Sequence, residues 1–548
     1  MRKPRFLVAV VLLLLRVLSC AAEAPKPVKV FLFAGQSNME GADARRDRID
    51  SYPDFSGVGA MQSNVLFVSL PRERDGKGPA WAPLIPGESF GPEVTFARMV
   101  GSRDGGAIAI IKSAIGGTTM AYDWNPEAPE NGQKLYPRTL RLVRESMEDL
   151  VRRGLSPKLE AVIWHQGEND MLDRRLNTNY ASGLTRMIVR LRQDLEAPQL
   201  KWFIGEVSEK GIWGMDHRPY LAILRKQQDQ VLAGDPLLRW VPTSHLAFEV
   251  MGSGQPHYHF GTQGQLQLGE AFGRAYLDAT GRGIPVPDRG YRGVLPLTKA
   301  KRVRVFVLAG QRNVEGEDAF VSEIGQVPGF EFLTNRQDKI PFRYSLGGGI
   351  RASSAWEPLG SVEYLGNFGP ELSFGARLRK GLGEGEDFVV LKFTHSGAQG
   401  PDWLPEGSAE SRRNLYPKFA GFIRSAMEDL KGRGYDASLA GVFWHVGEND
   451  TFFDPYLRKQ AEWIRRLITQ VRKDFEVGQL PWFISEQHPR SPWKNIEAVN
   501  RAIEGVATAE SGVYRVPTAH LPHERLHFGT RGTLLLGEAL AEAYLERR

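Results

Sequence analysis

Cysteine is almost missing from this chain: one residue in 548, Cys20. A protein that loses Cys20 in processing has no disulfide, no cysteine-based metal site and no thiol nucleophile. Long apolar runs are as scarce. The one conspicuous run, Phe6–Leu15, is ten residues long, whereas a membrane-spanning helix needs about 20. No other candidate transmembrane segment is found. Blocks of like charge are also lacking. The net charge is +6, and Arg2, Lys3, Arg5 and Arg16 supply four of those charges. Beyond residue 21 no basic stretch remains of the kind that grips nucleic acid.

The first residues have the order of a secretory leader: basic residues, an apolar stretch, then small residues in Ser19-Cys20-Ala21-Ala22. Cleavage is expected after Ala21 or Ala24, giving residues 1–24 as a signal peptide and a secreted or periplasmic protein. Cys20 is also a candidate for lipidation, the one membrane attachment the sequence offers.

What the chain has in abundance is self-similarity, which takes precedence over any local reading. "VFLFAGQSNMEG" at Val30–Gly41 is answered by "VFVLAGQRNVEG" at Val305–Gly316. "IWHQGEND" from Ile163 is answered by "FWHVGEND" from Phe443, and "HFGTQGQLQLGEAF" from His259 by "HFGTRGTLLLGEAL" from His527. The offset is 275 at Gly35 and 280 at Glu168, then drops to 268 at the last motif, where the first copy has extra residues around Glu249–Gln255. A period this long means two whole domains rather than a solenoid. Residues 25–283 and 303–548 are the expected domains, with residues 284–302, rich in Gly, Pro and basic residues, as linker.

Within each copy, short β-branched and aromatic runs ("VKVFLFA", "AIAIIKSA", "LEAVIWHQG", "LKWFIGEV") alternate with helical stretches. In "LYPRTLRLVRESMEDLVRRG", Leu140, Val143, Met147 and Leu150 recur every three or four residues. Gly91-Pro92 has the form of a helix start. This alternation predicts an α/β fold, a parallel sheet covered by helices on both faces. Ligands in such sheets sit at the carboxyl ends of the strands. The polar motifs fall there: Gln36-Ser37-Asn38 after the first strand, Gly116-Gly117-Thr118 after another, Gln166-Gly167-Glu168-Asn169-Asp170 after a third.

A serine nucleophile needs a histidine to take its proton, a carboxylate to orient that histidine, and amide donors for the oxyanion. Ser37, His259, Glu168 or Asp170, and the amides of Ser37 and Gly117 with Gln166 or Asn169, are candidates for these parts. His245, in a Pro-Thr-x-His-Leu motif shared with His520, is a rival base. His257 lies two residues before His259, a spacing that metal ligands also use; a polar loop with one working histidine is the simpler reading. Trp124 and Trp403 are candidates for sugar stacking or for packing.

In this order the motifs resemble the sialate O-acetylesterase and acetyl xylan esterase family, carbohydrate esterase family 6, within the SGNH hydrolase superfamily. The resemblance rests on Gly35-Gln36-Ser37-Asn38-Met39, Gly116-Gly117-Thr118, His165-Gln166-Gly167-Glu168 with Asp170, and His259-Phe260. It spans Val28–Leu277 and, more weakly, Val303–Leu545. It implies two tandem three-layer α/β/α sandwiches, and deacetylation of a carbohydrate through an acyl-enzyme without metal or other cofactor. It also implies Ser37 as nucleophile, His259 as base and Glu168 as the triad acid. Gly117, Gln166, Asn169 and Gln36 would line the oxyanion and substrate site. Many relatives place an Asp three residues before the histidine. Pro256 stands there in this chain, which turns attention to Glu168 and leaves Asp170 open.

The second copy keeps Glu448, Asn449, Asp450 and His527 but replaces Ser37 by Arg312, Gly116 by Ser396 and Gln166 by Val446. A guanidinium stays protonated and accepts no acyl group. The expectation is an active first domain and a second that is either a structural partner or a binder of anionic or acetylated glycan. Two other readings of the whole chain stand beside this one: a non-catalytic glycan-binding protein, and a general lipase or esterase.

Overall fold

The computed structural model describes residues 25–70, 80–127, 132–207, 218–247, 259–284, 288–298, 302–362, 365–383 and 385–548. The expected leader with Cys20, the Glu249–Gln255 segment, Pro256 and His257 lie outside the described residues.

The first half is built on a seven-stranded sheet. Its strands are β1 (Lys26–Gly35), β2 (Gln62–Ser69), β3 (Ala82–Leu84), β4 (Ala107–Ala114), β5 (Leu155–His165), β6 (Lys201–Gly205) and β7 (Leu238–Val241). Their order across the sheet is β3-β2-β4-β1-β5-β6-β7. All neighbours run parallel except the edge strand β3, which is antiparallel to β2. Side chains alternate between the faces of β1. Val28, Val30 and Leu32 join a core with Leu142, Val143, Trp164, Leu184 and Trp202. Phe31 and Phe33 enter the opposite core with Phe96, Phe272 and Tyr276. Helices Leu135–Arg152 and Tyr180–Asp194 therefore cover one face, and helices Glu93–Asp104 and Gly261–Ala279 the other. This is the expected α/β/α sandwich.

The second half repeats it with β8 (Arg302–Gly310), β9 (Gln337–Leu346), β10 (Arg351–Ala352), β11 (Glu357–Leu359), β12 (Phe388–Thr394), β13 (Asp436–His445), β14 (Trp482–Ser485) and β15 (Val513–Val516). The order is β10-β9-β12-β8-β13-β14-β15, with β11 pairing β9. Even an irregularity is repeated. The β1–β5 register slips by one residue between Val30 and Phe31, and the β8–β13 register slips at the corresponding place, between Leu439 and Gly441. Such slips re-aim the downstream strand end, here the ends that carry His165 and His445.

The stretch expected as a linker is not a free spacer. Leu295 and Leu297 are buried in the second core, and Tyr291 N bonds the Trp356 carbonyl. Its Gly, Pro and basic content concealed two apolar anchors.

The halves also pack on each other. Arg225 of the first donates to the Ser411 carbonyl (2.6 Å), and Arg413 of the second donates to Ser244 Oγ (3.1 Å). Glu206 lies 2.7 Å from Arg225 and accepts from the Thr243 and Ser244 amides. Burial works against its charge, but Arg225 and Arg413 prevail and bring its pKa down to about 2.

Candidate active site

The parallel strand order reverses at β1, between β4 and β5, and a crevice at such a switch point is where open α/β sheets hold ligands. Gly35 ends β1 at φ 154°, and an added Cβ would lie 2.1 Å from the His165 carbonyl oxygen. Only glycine permits that approach. The chain then turns at once into the helical turn Ser37–Glu40. Ser37 is buried but for 6% of its surface and faces the loop after β4: a Cβ on Gly116 would stand 3.3 Å from Ser37 Cβ. Glu40 fixes that loop by accepting from the Gly116 amide at 2.9 Å. Lys112, paired with buried Glu93, donates to the Glu40 carbonyl. Gly117 is exposed, and Asn169 Nδ2 lies 4.0 Å from where its Cβ would be.

The histidine segment is joined to this turn by Asn38. Its Oδ1 accepts from the Phe260 amide (3.2 Å), and its carbonyl accepts from Gln265 Nε2 (2.7 Å). The neighbours of Ser37 and His259 are thus directly bonded. His259 itself is about nine-tenths buried, and its Nδ1 stands 2.5 Å from Asp43 Oδ2. A carboxylate on Nδ1 fixes the tautomer that makes Nε2 the proton acceptor, the arrangement a general base requires.

This geometry corrects the expected acid. Glu168 is directed elsewhere: Oε1 accepts from Asn38 Nδ2 at 2.7 Å and lies 3.4 Å from His165 Nδ1. Burial alone would raise its pKa, yet the charge of His165 and the hydrogen bonds of His165 and Asn38 carry it below the usual carboxylate value. Asp170 is also committed, accepting from the Met120 amide with both oxygens and from Gln166 Nε2. Burial pushes its pKa up to about 7. Asp43 was not singled out in the sequence, although the repeat held a sign of it: Asp318 occupies the same place in the second copy.

Gln166 is corrected as an oxyanion donor. It is fully buried and its amide is spent on Gln36 Oε1, the Thr118 carbonyl and Asp170. Gln36, also fully buried, donates to Asn169 Oδ1 at 3.1 Å and so turns the Asn169 amide toward Gly117. Gln36 is an internal brace rather than a substrate contact. Trp124 and Trp403 are buried in the cores, 1% and 0% exposed, which removes both as sugar platforms. His245 is buried against Gly347 of the second half. Among the described residues no group of three or more His, Cys, Asp or Glu is arranged to hold a metal, and no helix is long and apolar enough to cross a membrane.

The second site is filled by its own side chain. Arg312 has no exposed surface. Its Nε and Nη2 donate to Asn449 Oδ1 (3.2 and 2.9 Å), its Nη1 lies 3.5 Å from Glu317, and its guanidinium sits 5.6 Å from the Trp493 ring centroid. Asn449 donates in turn to the Ser396 and Ala398 carbonyls. His527 lies 3.5 Å from Glu448 and 3.9 Å from Glu317. Burial would lower the His527 pKa, but Glu448, Glu317 and Asp318 raise it. The mouth is closed from outside as well. Gly397, the counterpart of Gly117, approaches the Ser244 carbonyl so closely that an added Cβ would lie 2.3 Å from it.

Comparison with known proteins agrees with this architecture. The family model for "Carbohydrate esterase, sialic acid-specific acetylesterase" matches twice, over residues 27–278 and 302–546. A curated Arabidopsis thaliana protein named "Probable carbohydrate esterase" is 28% identical over 262 residues, covering 46% of this chain and 91% of its own. Among solved structures, an Arabidopsis thaliana protein is 24% identical over 46% of this chain and 98% of its own, with a TM-score of 0.35. A carbohydrate acetylesterase from Xanthomonas citri is 19% identical over 46% of this chain and 55% of its own (TM-score 0.34). NanS is 17% identical over 47% of this chain and 99% of its own (TM-score 0.35). The chain belongs to the carbohydrate esterase family of sialic acid-specific acetylesterases, and carries the domain of that family twice.

Proposed function

We propose that the first half is a serine-dependent O-acetylesterase acting on an acetylated carbohydrate, and that the second half is not catalytic. His259, oriented by Asp43, takes the proton of Ser37 as Oγ attacks the acetyl carbonyl. The amides of Ser37 and Gly117, with Asn169 Nδ2, receive the oxyanion. The sugar hydroxyl leaves with the proton from His259, and water releases acetate by the same route. The observation that carries this reading is the Asn38 bridge: one side chain next to Ser37 bonds the amide next to His259, whose ring is held by Asp43. The leader-like order of residues 1–24, basic, apolar, then small, supports the reading of an exported protein.

The test is acetate release from O-acetylated sialic acid, acetylated xylan and an aryl acetate by wild type, Ser37→Ala and His259→Ala. Either substitution is expected to cut kcat by about a thousandfold or more. A Ser37→Ala protein as fast as wild type removes Ser37 as nucleophile. Binding of acetylated glycan with no turnover of any ester returns the chain to the glycan-binding reading. Turnover of aryl acetate alone favours a general esterase.

A further inference from the structure

Asp43 and His259 are 216 residues apart, and neither lies on a strand. Asp43 is in the loop after the Ser37–Glu40 turn, and His259 precedes helix Gly261–Ala279. Their separation is therefore set by whatever packs behind the loop and the first turn of that helix. Within the first half, the Arg45 amide donates to Thr262 Oγ1 at 3.0 Å. Asn38 adds bonds to the Phe260 amide and to Gln265, and further support comes from the other half.

Phe320 belongs to the second half, yet its side chain is 1% exposed inside an apolar cluster of the first, with Ala44, Tyr52, Phe55 and Leu266. Ala44 adjoins Asp43, and Leu266 lies on the helix that follows His259. Tyr52 meets Phe320 edge-on, centroids 6.2 Å apart at 73°. The Glu317 carbonyl accepts from Gln263 Nε2 at 3.0 Å in a buried bond, in the first turn of the same helix. Glu317 is itself held by Arg312 at 3.5 Å. One continuous chain of contacts thus runs from Arg312 through Glu317 and Gln263 to the turn that carries His259. By the repeat, Glu317 to Phe320 is the second copy's version of the Ala42 to Arg45 loop. The loop that corresponds to the Asp43 loop in the second copy thus packs behind the first.

We infer that Phe320 and the Glu317 carbonyl are positioning elements for the Asp43–His259 pair, so that the second half, locked by Arg312, works as a built-in support for the first half's chemistry. The inference rests on the reading of Ser37 and His259 as nucleophile and base. Coupling of this kind is established by energetic tests rather than by proximity. Displacing a catalytic group by a fraction of an ångström lowers turnover without weakening substrate binding.

The experiment uses the full chain carrying Phe320→Ala, Phe320→Leu, Gln263→Leu, Asp43→Asn and the Asp43→Asn/Phe320→Ala double variant. Three quantities are read: kcat and KM for acetate release, the melting temperature, and the low-field proton resonance of the His259 Nδ1–H, assigned by its loss in His259→Ala. Phe320→Ala and Gln263→Leu are expected to lower kcat about tenfold with KM changed less than twofold, and to broaden or abolish the His259 resonance. Phe320→Leu is expected to restore most of both. In the Asp43→Asn background Phe320→Ala is expected to cost less than about twofold more, because the pair it supports is already broken. A lowered melting temperature with unchanged kcat and an intact His259 resonance overturns the inference and leaves Phe320 as packing. Should Phe320→Ala fail to fold, Gln263→Leu decides. Should wild type release no acetate, or Ser37→Ala act as fast as wild type, the functional reading fails, and the resonance still decides the positioning role.

Discussion

Arg312 donates to Asn449 Oδ1 in the second half where Gln36 donates to Asn169 Oδ1 in the first. The acceptor is the same and the donor has changed. In the first half the bond comes from a buried brace, and the position beside it is the small side chain of Ser37. In the second it comes from a guanidinium at the place of that serine.

Removing that guanidinium is expected to damage the second half without awakening it. Arg312→Ser takes a buried cation from beside Glu317 and Asn449 and opens a cavity, at a cost of about 3–5 kcal/mol. Thermal or denaturant unfolding of the full chain measures the loss. In a Ser37→Ala background, Arg312→Ser is expected to release no acetate, since Gly397 remains against Ser244. Recovered turnover would mean that the second cleft admits substrate.

The identity of the triad acid can be read from two carboxamides. Asp43→Asn is expected to lower kcat by about a thousandfold or more, because the wrong His259 tautomer is favoured. Glu168→Gln keeps an acceptor for Asn38 and is expected to lower kcat less than about tenfold. The opposite ranking, in acetate-release assays on folded protein, would return the role to Glu168.

Asn169 and Gln166 part company in the same way. Asn169→Ala removes the side-chain amide beside Gly117 and is expected to cost about a hundredfold or more in kcat, with the melting temperature little changed. Gln166→Ala breaks a buried network and is expected to act first on stability. Paired kinetic and unfolding measurements distinguish them. An Asn169→Ala enzyme with undiminished kcat excludes it as an oxyanion donor.

Acid is expected to loosen the contact between the halves. The folded-state pKa of Glu206, about 2, lies below its ordinary value of 4.5. Its stabilisation is therefore complete above about pH 4.5 and is withdrawn as pH falls from there toward 2. Unfolding curves between pH 6 and 2 are expected to decline more steeply for wild type than for Glu206→Gln, which is expected to be the less stable protein at pH 7. Parallel curves would show that Glu206 carries none of the acid sensitivity.

The central strands and their helices were legible because each is a continuous apolar run or a clear three-to-four repeat, and because the duplication shows every motif twice. β2 was not foreseen. It lies near the sheet edge, half-exposed, so its sequence lacks the apolar continuity of β1 or β4. That the Ser37 and His259 segments lie beside each other at the strand ends could be read from residue type and order. The partner of His259 could not. A carboxylate six residues beyond the nucleophile, in an irregular loop, reaches the ring only through the docking of helix Gly261–Ala279, and that is a tertiary fact. Gln166 misled because a polar side chain at a strand end suggests an open site, whereas this one faces inward onto Asp170 and Thr118.

The Ser244–Gly397 contact has no mirror image. Ala519 and Gly117, which occupy the reciprocal places, are both exposed. Two-fold pairing would use one patch on both partners, whereas here unlike patches meet, as in head-to-tail association. The duplication therefore has a polarity. The first half presents the Ser244 loop to the second, while Gly117 at its own strand end stays exposed, so the two copies of one loop have unequal surroundings.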